Sequence, residues 1–160
     1  MKEYSELDEL DRAILNELQT DSSISNVELA RRVSLSPPAV HARVKRLEQL
    51  GYIRHYVAVL DREKVGFDML CFIQVSLQVH QTGQVENFRS TVAKMPEVLE
   101  CHHVTGPFDY LLKVAICNRM DLQRFLMERL TPIPYIANIQ TSLVLTEIKT
   151  TTALPIKTGE

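Results

Sequence analysis

Residues 31–56 carry Arg31, Arg32, Arg43, Lys45, Arg46 and Arg54, with Glu48 as the only acid. Guanidinium and ammonium groups gathered this closely do one kind of chemistry well, the pairing of phosphate oxygens. Residues 1–30 are the reverse: Glu3, Glu6, Asp8, Glu9, Asp11, Glu17, Asp21 and Glu28 face only Lys2 and Arg12. The formal net charge of −2 conceals this division. The local footprint, and not the total, points to a polyanion such as double-stranded DNA.

A second constellation is Gly106-Pro107-Phe108-Asp109. A carboxylate beside a glycine turn can accept a ligand's α-ammonium group while exposed amides hold its carboxylate. The same aspartate can equally cap the turn with no ligand present. Cys101, His102 and His103 invite a metal, but consecutive strand residues point to opposite faces. Only Cys101 and His103 converge, and two ligands are too few, so no metal or cofactor is expected. Phosphate-cradling glycine loop, nucleophile elbow and HExxH pattern are all missing from the sequence, which therefore does not read as an enzyme. Cys71, Cys101 and Cys117 sit in apolar, strand-like surroundings and read as buried free thiols.

Helices must hold the basic cluster. Leu10, Ile14 and Leu18 lie at i, i+4 and i+8, which predicts a helix over 7–18 with Asp8 as its N-cap. Ser25-Asn26-Val27-Glu28 spells a capping box and opens a short helix with Val27, Ala30 and Val33 facing inward. Ser34-Leu35 makes a tight turn. Ser36 then caps a further helix whose first-turn prolines, Pro37 and Pro38, sit where an N–H would be unpaired anyway. Val40, Val44 and Leu47 form its buried face, and Leu50-Gly51 closes it. Two capped helices in immediate succession behind a third are helix-turn-helix grammar. Tyr52 to Leu60 reads as an extended wing or exit strand, and the charged 61–66 run as a boundary.

Beyond it the apolar period shortens from 3.6 to 2. Strands are predicted over 70–79, 98–105, 110–116 and 136–148. Val85, Phe88 and Val92 mark a helix between the first two strands, and Leu122, Phe125, Leu126 and Leu130 mark another before the last. The order is βαββαβ, a ferredoxin-like sandwich with both helices on one face. Its bare sheet face needs a cover, and a second copy is the simplest supply. A dimer also suits paired helix-turn-helix units reading two half-sites. The fold class is thus α+β, with a winged helix-turn-helix domain (1–60), a linker (61–68), a ferredoxin-like effector and oligomerisation domain (69–154) and a tail (155–160).

The sequence resembles the Lrp/AsnC (leucine-responsive, or feast/famine) family of transcription regulators over essentially its whole length. The resemblance rests on Leu10-Asp11, Ile14-Leu15, Ser25-Asn26-Val27-Glu28-Leu29-Ala30, Leu35-Ser36-Pro37, Arg43-Val44-Lys45-Arg46-Leu47-Glu48 and Gly51-Tyr52-Ile53. It continues through Val98-Leu99-Glu100-Cys101-His102, Val104-Thr105-Gly106, Asp109-Tyr110-Leu111-Leu112-Lys113 and Glu147-Ile148-Lys149. The resemblance implies DNA binding, dimers that assemble into tetramers or octamers, and a free amino acid bound between dimers. It places the effector at Gly106, Pro107, Phe108 and Asp109, with His102, Val104 and Tyr110 from the flanking strands. His102 is either a pocket wall or an interface histidine. Two positions depart from the family's habit: Pro107 replaces a polar or acidic residue, and Tyr135 a frequent glycine.

With Val40, Val44 and Leu47 in the core, Pro38, Ala39, His41, Ala42 and Lys45 are left to reach base edges. Ser36, Arg43, Arg46, Arg31 and Arg32 are then assigned to phosphates, or else form a solvated basic face. No apolar run of membrane-spanning length occurs. The polar, acidic start is unlike a signal peptide, so a cytoplasmic protein is expected. The rival reading is an architectural DNA-organising protein of low specificity with no effector. An enzyme subunit of amino-acid metabolism is a distant third.

Overall fold

The computed structural model describes residues 7–78 and 82–157. Two compact units emerge: residues up to Ala58 with those from Lys149 on, and Val59–Ile148. Residues 149–154, assigned from sequence to the second domain, and 155–157, assigned to a tail, group with the helical unit.

In that unit α1 spans Glu9–Thr20, α2 Asn26–Arg32 and α3 Pro37–Gln49. Asp8 caps α1 reciprocally: its Oδ1 accepts the Asp11 amide at 2.7 Å, and Asp11 Oδ2 accepts the Asp8 amide at 3.4 Å. Such a cap stabilises a helix by about 1 kcal/mol. Ile14, Leu15, Leu29, Ala30, Val33, Val40 and Leu47 make the core. Val27, expected inward, is 68% exposed. It lies two positions, or roughly 200° of helical rotation, from the buried Leu29. Ser25 accepts the Glu28 amide at 3.2 Å. The Glu28 carboxylate turns to Arg31 and Arg32 instead, so the expected box is only half made.

Ser34 takes a left-handed φ of 55° at the turn between α2 and α3. Ser36 is extended at the N-cap, but its hydroxyl makes no capping bond. Gly51, with φ 77°, ends α3 as expected. Residues 54–60 carry neither helix nor strand, so the expected exit strand is not formed within this chain. A lone extended segment has no ladder to join.

The segment after Lys149 lies along α1. Gln19 Oε1 accepts the Leu154 amide at 2.6 Å and its Nε2 donates to the Leu154 carbonyl at 3.1 Å. Asn16 donates to the Ile156 carbonyl at 3.1 Å and Arg12 to that of Lys157 at 3.2 Å. The Ile156 side chain packs against the helical core.

The second unit holds β1 (Met69–Leu77), α4 (Thr82–Val92), β2 (Val98–His103), β3 (Tyr110–Ile116), α5 (Arg119–Arg124) and β4 (Ile136–Leu143). Helix α5 runs on as a π-helical stretch, Phe125–Leu130. The sheet is antiparallel in the order β2-β3-β1-β4. Cys71, Ile73, Val75 and Leu77 alternate with Phe72, Gln74 and Ser76 along β1. The first set joins Tyr110, Leu112, Val114 and Ile116 beneath Phe88, Val92, Phe125 and Leu130. Among the described residues no helix packs on the other face, which carries Phe72, Gln74, Leu111, Lys113 and Gln140.

Three expectations are corrected. Strand β4 ends at Leu143, leaving Leu145 and Ile148 90% and 91% exposed. Strand β2 stops at His103 instead of Thr105, where the chain turns toward β3. Cys71 is buried, but Cys101 and Cys117 are exposed. Val79, expected to end β1, lies outside the described residues.

Tyr135, at the family's frequent glycine, has φ 69°. Its carbonyl accepts the Gln78 amide at 2.8 Å, which holds the kink. A left-handed L-residue costs roughly 1–2 kcal/mol. Tyr135→Gly is therefore expected to stabilise the chain by about 0.5–1 kcal/mol in urea unfolding. A lower midpoint would mean that contacts of the ring outweigh the backbone relief.

Candidate nucleic-acid interface and effector turn

Helix α3 is seated by Val40 and Leu47, both fully buried. Ser36, Pro38, His41, Ala42 and Lys45 are exposed around it, and Ala39 is half-buried. Among the described residues Lys45 makes no ion pair, so its ammonium is available to a phosphate.

The arginines are arranged differently. Arg43 Nη1 donates to Asp8 Oδ2 at 2.6 Å and to Asp11 Oδ1 at 2.8 Å. Arg46 bonds the other oxygen of Asp11, whose side chain is 0% exposed. The Asp11 amide first, and the Arg43 guanidinium after it, hold the Asp8 carboxyl below its ordinary range. Arg31 and Arg32 both grip Glu28, at 2.7 and 3.0 Å, and Arg32 also bonds Glu17 at 2.8 Å. Hydrogen bonds from Arg31 and Arg32 bring the Glu28 carboxyl down to about 2. All four arginines thus have carboxylate partners, and Arg43 and Arg46 brace α3 against α1.

Asn26 Nδ2 lies 3.4 Å from His41 Nδ1. An amide donating there leaves the neutral imidazole's proton on Nε2. His41 then presents an N–H to solvent, suited to an acceptor such as guanine O6 or N7. Sequence reasoning missed Asn26, Asp8 and Asp11 as supports of this surface. The Asp8-x-x-Asp11 spacing was the signal available for the last two.

In the second unit the β2–β3 turn is closed by the Val104 amide donating to the Asp109 carbonyl at 3.0 Å. Gly106 has φ 128°, and a Cβ there would meet nothing within 4 Å. Its glycine is required by backbone conformation, not by crowding. Gly106 and Pro107 are exposed, while Val104, Phe108 and Asp109 are half-buried. The Asp109 amide donates to the Val75 carbonyl at 3.0 Å, and Asp109 Oδ2 accepts the Leu77 amide at 2.7 Å. This carboxylate thus ties the turn to β1.

Tyr110 is 2% exposed, and its hydroxyl accepts Arg89 Nε at 3.1 Å. Its ring lies among Phe88 and His103, so its side chain belongs to the core and not to the turn. His102 Nε2 sits 2.9 Å from Glu100 Oε2, and Lys113 reaches Glu100 Oε1 at 3.1 Å, all on the uncovered sheet face. The turn residues Gly106 to Asp109 are together; His102 is engaged elsewhere. Among the described residues no three His, Cys, Asp or Glu side chains gather as metal ligands.

A helix-turn-helix with a solvent-facing cationic second helix, followed by a ferredoxin-like unit, defines a DNA-binding regulator with a separate ligand-binding domain. Residues 70–154 match the Lrp/AsnC ligand binding domain, and residues 7–54 the winged helix-turn-helix DNA-binding domain. The leucine-responsive regulatory protein of Klebsiella pneumoniae is 42% identical over 153 residues, covering 96% of this chain and 93% of that one. Its Escherichia coli K12 counterpart is 41% identical over the same shares. Among solved structures, a Neisseria meningitidis transcriptional regulator in complex with L-Met superposes with a TM-score of 0.91. It has 39% identity and covers 94% of this chain and 97% of that one. An AsnC family regulator from Agrobacterium tumefaciens gives 0.89 at 33% identity, over 93% and 97%. The chain belongs to the Lrp/AsnC family of transcription regulators. No helix among the described residues is long and apolar enough to cross a membrane.

Proposed function

We propose that this chain is a cytoplasmic, non-enzymatic regulator that grips pseudo-palindromic DNA as a dimer and changes assembly when an amino acid binds. Pro38, Ala39, His41 and Ala42 are its base-facing set. Lys45, given to base edges on the sequence alone, is assigned to a phosphate with Ser36 and the outer N–H groups of Arg31, Arg32 and Arg43, while Arg46 acts as a brace through Asp11. The observation that carries this reading is the solvent-facing row His41, Ala42 and Lys45 on a helix braced from behind by Asp11. The uncovered sheet face is the proposed dimer seam, because a one-sided sheet has apolar groups such as Phe72 still to bury. Dimers then join, and several sites held at once raise the effective concentration of each contact.

The effector is assigned to the turn at Gly106, Pro107, Phe108 and Asp109. An apolar amino acid is favoured by the regulator bound to L-Met, which shares 39% of its residues with this chain. Binding between dimers favours one assembly over another and so shifts promoter occupancy.

The deciding experiment is titration onto the chain's own upstream DNA and onto scrambled DNA, with and without pooled amino acids. Selective binding that shifts with the pool is expected. Equal, pool-indifferent binding to both DNAs would support an architectural protein instead. Asp109→Asn keeps an acceptor for the Leu77 amide but removes the charge. It is expected to abolish the L-methionine response while leaving ligand-free DNA affinity unchanged. A variant that still responds as wild type removes Asp109 from the site.

A further inference from the structure

Helix α1 presents a second binding face besides the one that braces α3. Arg12, Asn16 and Gln19 stand at i, i+4 and i+7, on one side of the helix, and all three are half-buried. Their partners are backbone groups of the C-terminal segment. Arg12 Nη1 donates to the Lys157 carbonyl and Asn16 Nδ2 to that of Ile156. Gln19 holds Leu154 twice, accepting its amide at 2.6 Å and donating to its carbonyl at 3.1 Å. A side-chain amide that takes both backbone groups of one residue does what a neighbouring strand does: it selects an extended peptide. Ile156 adds an apolar anchor, half-buried against the core that also holds Val40 and Leu47 of α3.

Two features make this segment separable from the helices it lies on. Pro155 biases Leu154 toward the extended region, so the segment is close to its docked form before it docks. The hold on it is also light. Residues 149–157 form no helix or strand, Leu154 is 69% exposed, and the bonds to Leu154 and Lys157 lie at the surface. Exposed hydrogen bonds trade with water at little net gain, so such a segment opens by itself while the packed helices stay folded.

We propose that this face of α1 is a receptor for an extended peptide with apolar residues on either side of a proline. The chain's own Leu154-Pro155-Ile156 fills it as a detachable strap, and its occupancy sets the grip of α3 on DNA. With the strap docked, Ile156 completes the core on which Val40 and Leu47 seat α3. With the strap cut or displaced, that core loses an apolar side chain and α3 is held less firmly. The consequence for DNA rests on α3 being the reading helix; the peptide site does not.

The test uses the full chain carrying Leu154→Pro with Ile156→Ser. The proline deletes the amide that Gln19 accepts, and the serine removes the anchor. This chain is expected to bind its upstream DNA about tenfold more weakly than wild type. The salt slope should not change, because no phosphate contact is lost. A synthetic Lys149–Lys157 peptide at about ten times its dissociation constant should restore most of the affinity. The same peptide with Leu154→Pro should not, and Ile156→Leu in the full chain should bind DNA as wild type does. Without DNA, fluorescence anisotropy should show the labelled peptide captured by the double variant. Wild type, its face already filled, should capture little, and Gln19→Ala added to the variant should abolish capture. Unchanged DNA affinity in the double variant, or no capture of the peptide, overturns the proposal. Capture by the variant when wild type binds no DNA upholds the receptor and overturns the DNA reading instead. Hydrogen exchange on the unaltered chain needs no variant to fold. The Leu154 amide should exchange at least tenfold faster than the interior amides of α1; equal protection means the strap opens only with the whole unit, which also overturns the proposal.

Discussion

Alanine at Asp11 is expected to cost the helical unit about 3–5 kcal/mol, more than any single apolar truncation at its surface. Asp11 is fully buried and takes Arg43 on one oxygen and Arg46 on the other, while capping α1 as well. Removing it leaves Arg46 without its carboxylate and Arg43 with Asp8 alone, and undoes the Asp11 half of the α1 cap. Urea unfolding of the full chain measures the loss. DNA affinity should fall alongside it, because α3 loses its brace against α1. Asp11→Asn keeps the shape and an acceptor, so it should cost less. A penalty below about 1 kcal/mol for alanine would place the pair in the class of weak, hydrated surface bridges.

Reversal of charge at Lys45 is the second large effect. Lys45→Glu removes a phosphate partner and adds a repelling charge, so affinity at moderate salt should drop about 100-fold, or about 2.7 kcal/mol. The slope of log affinity against log salt should shrink by about 1–2, whatever the DNA sequence. Arg46→Gln provides the contrast. Its guanidinium is already engaged by Asp11, so its loss should appear in stability, with the salt slope nearly unchanged. If Arg46→Gln flattens the slope and Lys45→Glu does not, the two residues have exchanged roles.

That contrast marks where the sequence was legible. Helical period and cap spacing are local, and they located Asp8, the Ser36-Pro37-Pro38 start and the Gly51 close. The order of strands and helices in the second unit was equally plain, because Ile73 to Leu77 alternate as a strand does while Val85, Phe88 and Val92 keep a helical period. Partners of the arginines were not legible. Arg43 and Asp8 are far apart in sequence, and no periodicity encodes a bond that only a folded interhelix contact creates. Val27 misled for a different reason: in a seven-residue helix, a shift of two positions changes the face. At the Gly106–Asp109 turn the glycine and the aspartate were legible in the sequence. It could not show that Leu77 already shares the aspartate's carboxylate, nor that Tyr110 points into the core.

The strand of chain laid along α1 gives the protein an order of assembly. Leu154 and Ile156 complete the helical unit, yet a ribosome delivers them only after every residue of the sheet has emerged. Until then Arg12, Asn16 and Gln19 hold water, and the helical core lacks one of its apolar side chains. A nascent chain can form its recognition helix early, but the unit that carries it stays incomplete until Leu154 and Ile156 have followed the sheet out. Full grip on a promoter is thereby reserved for molecules whose sensing unit has already been made.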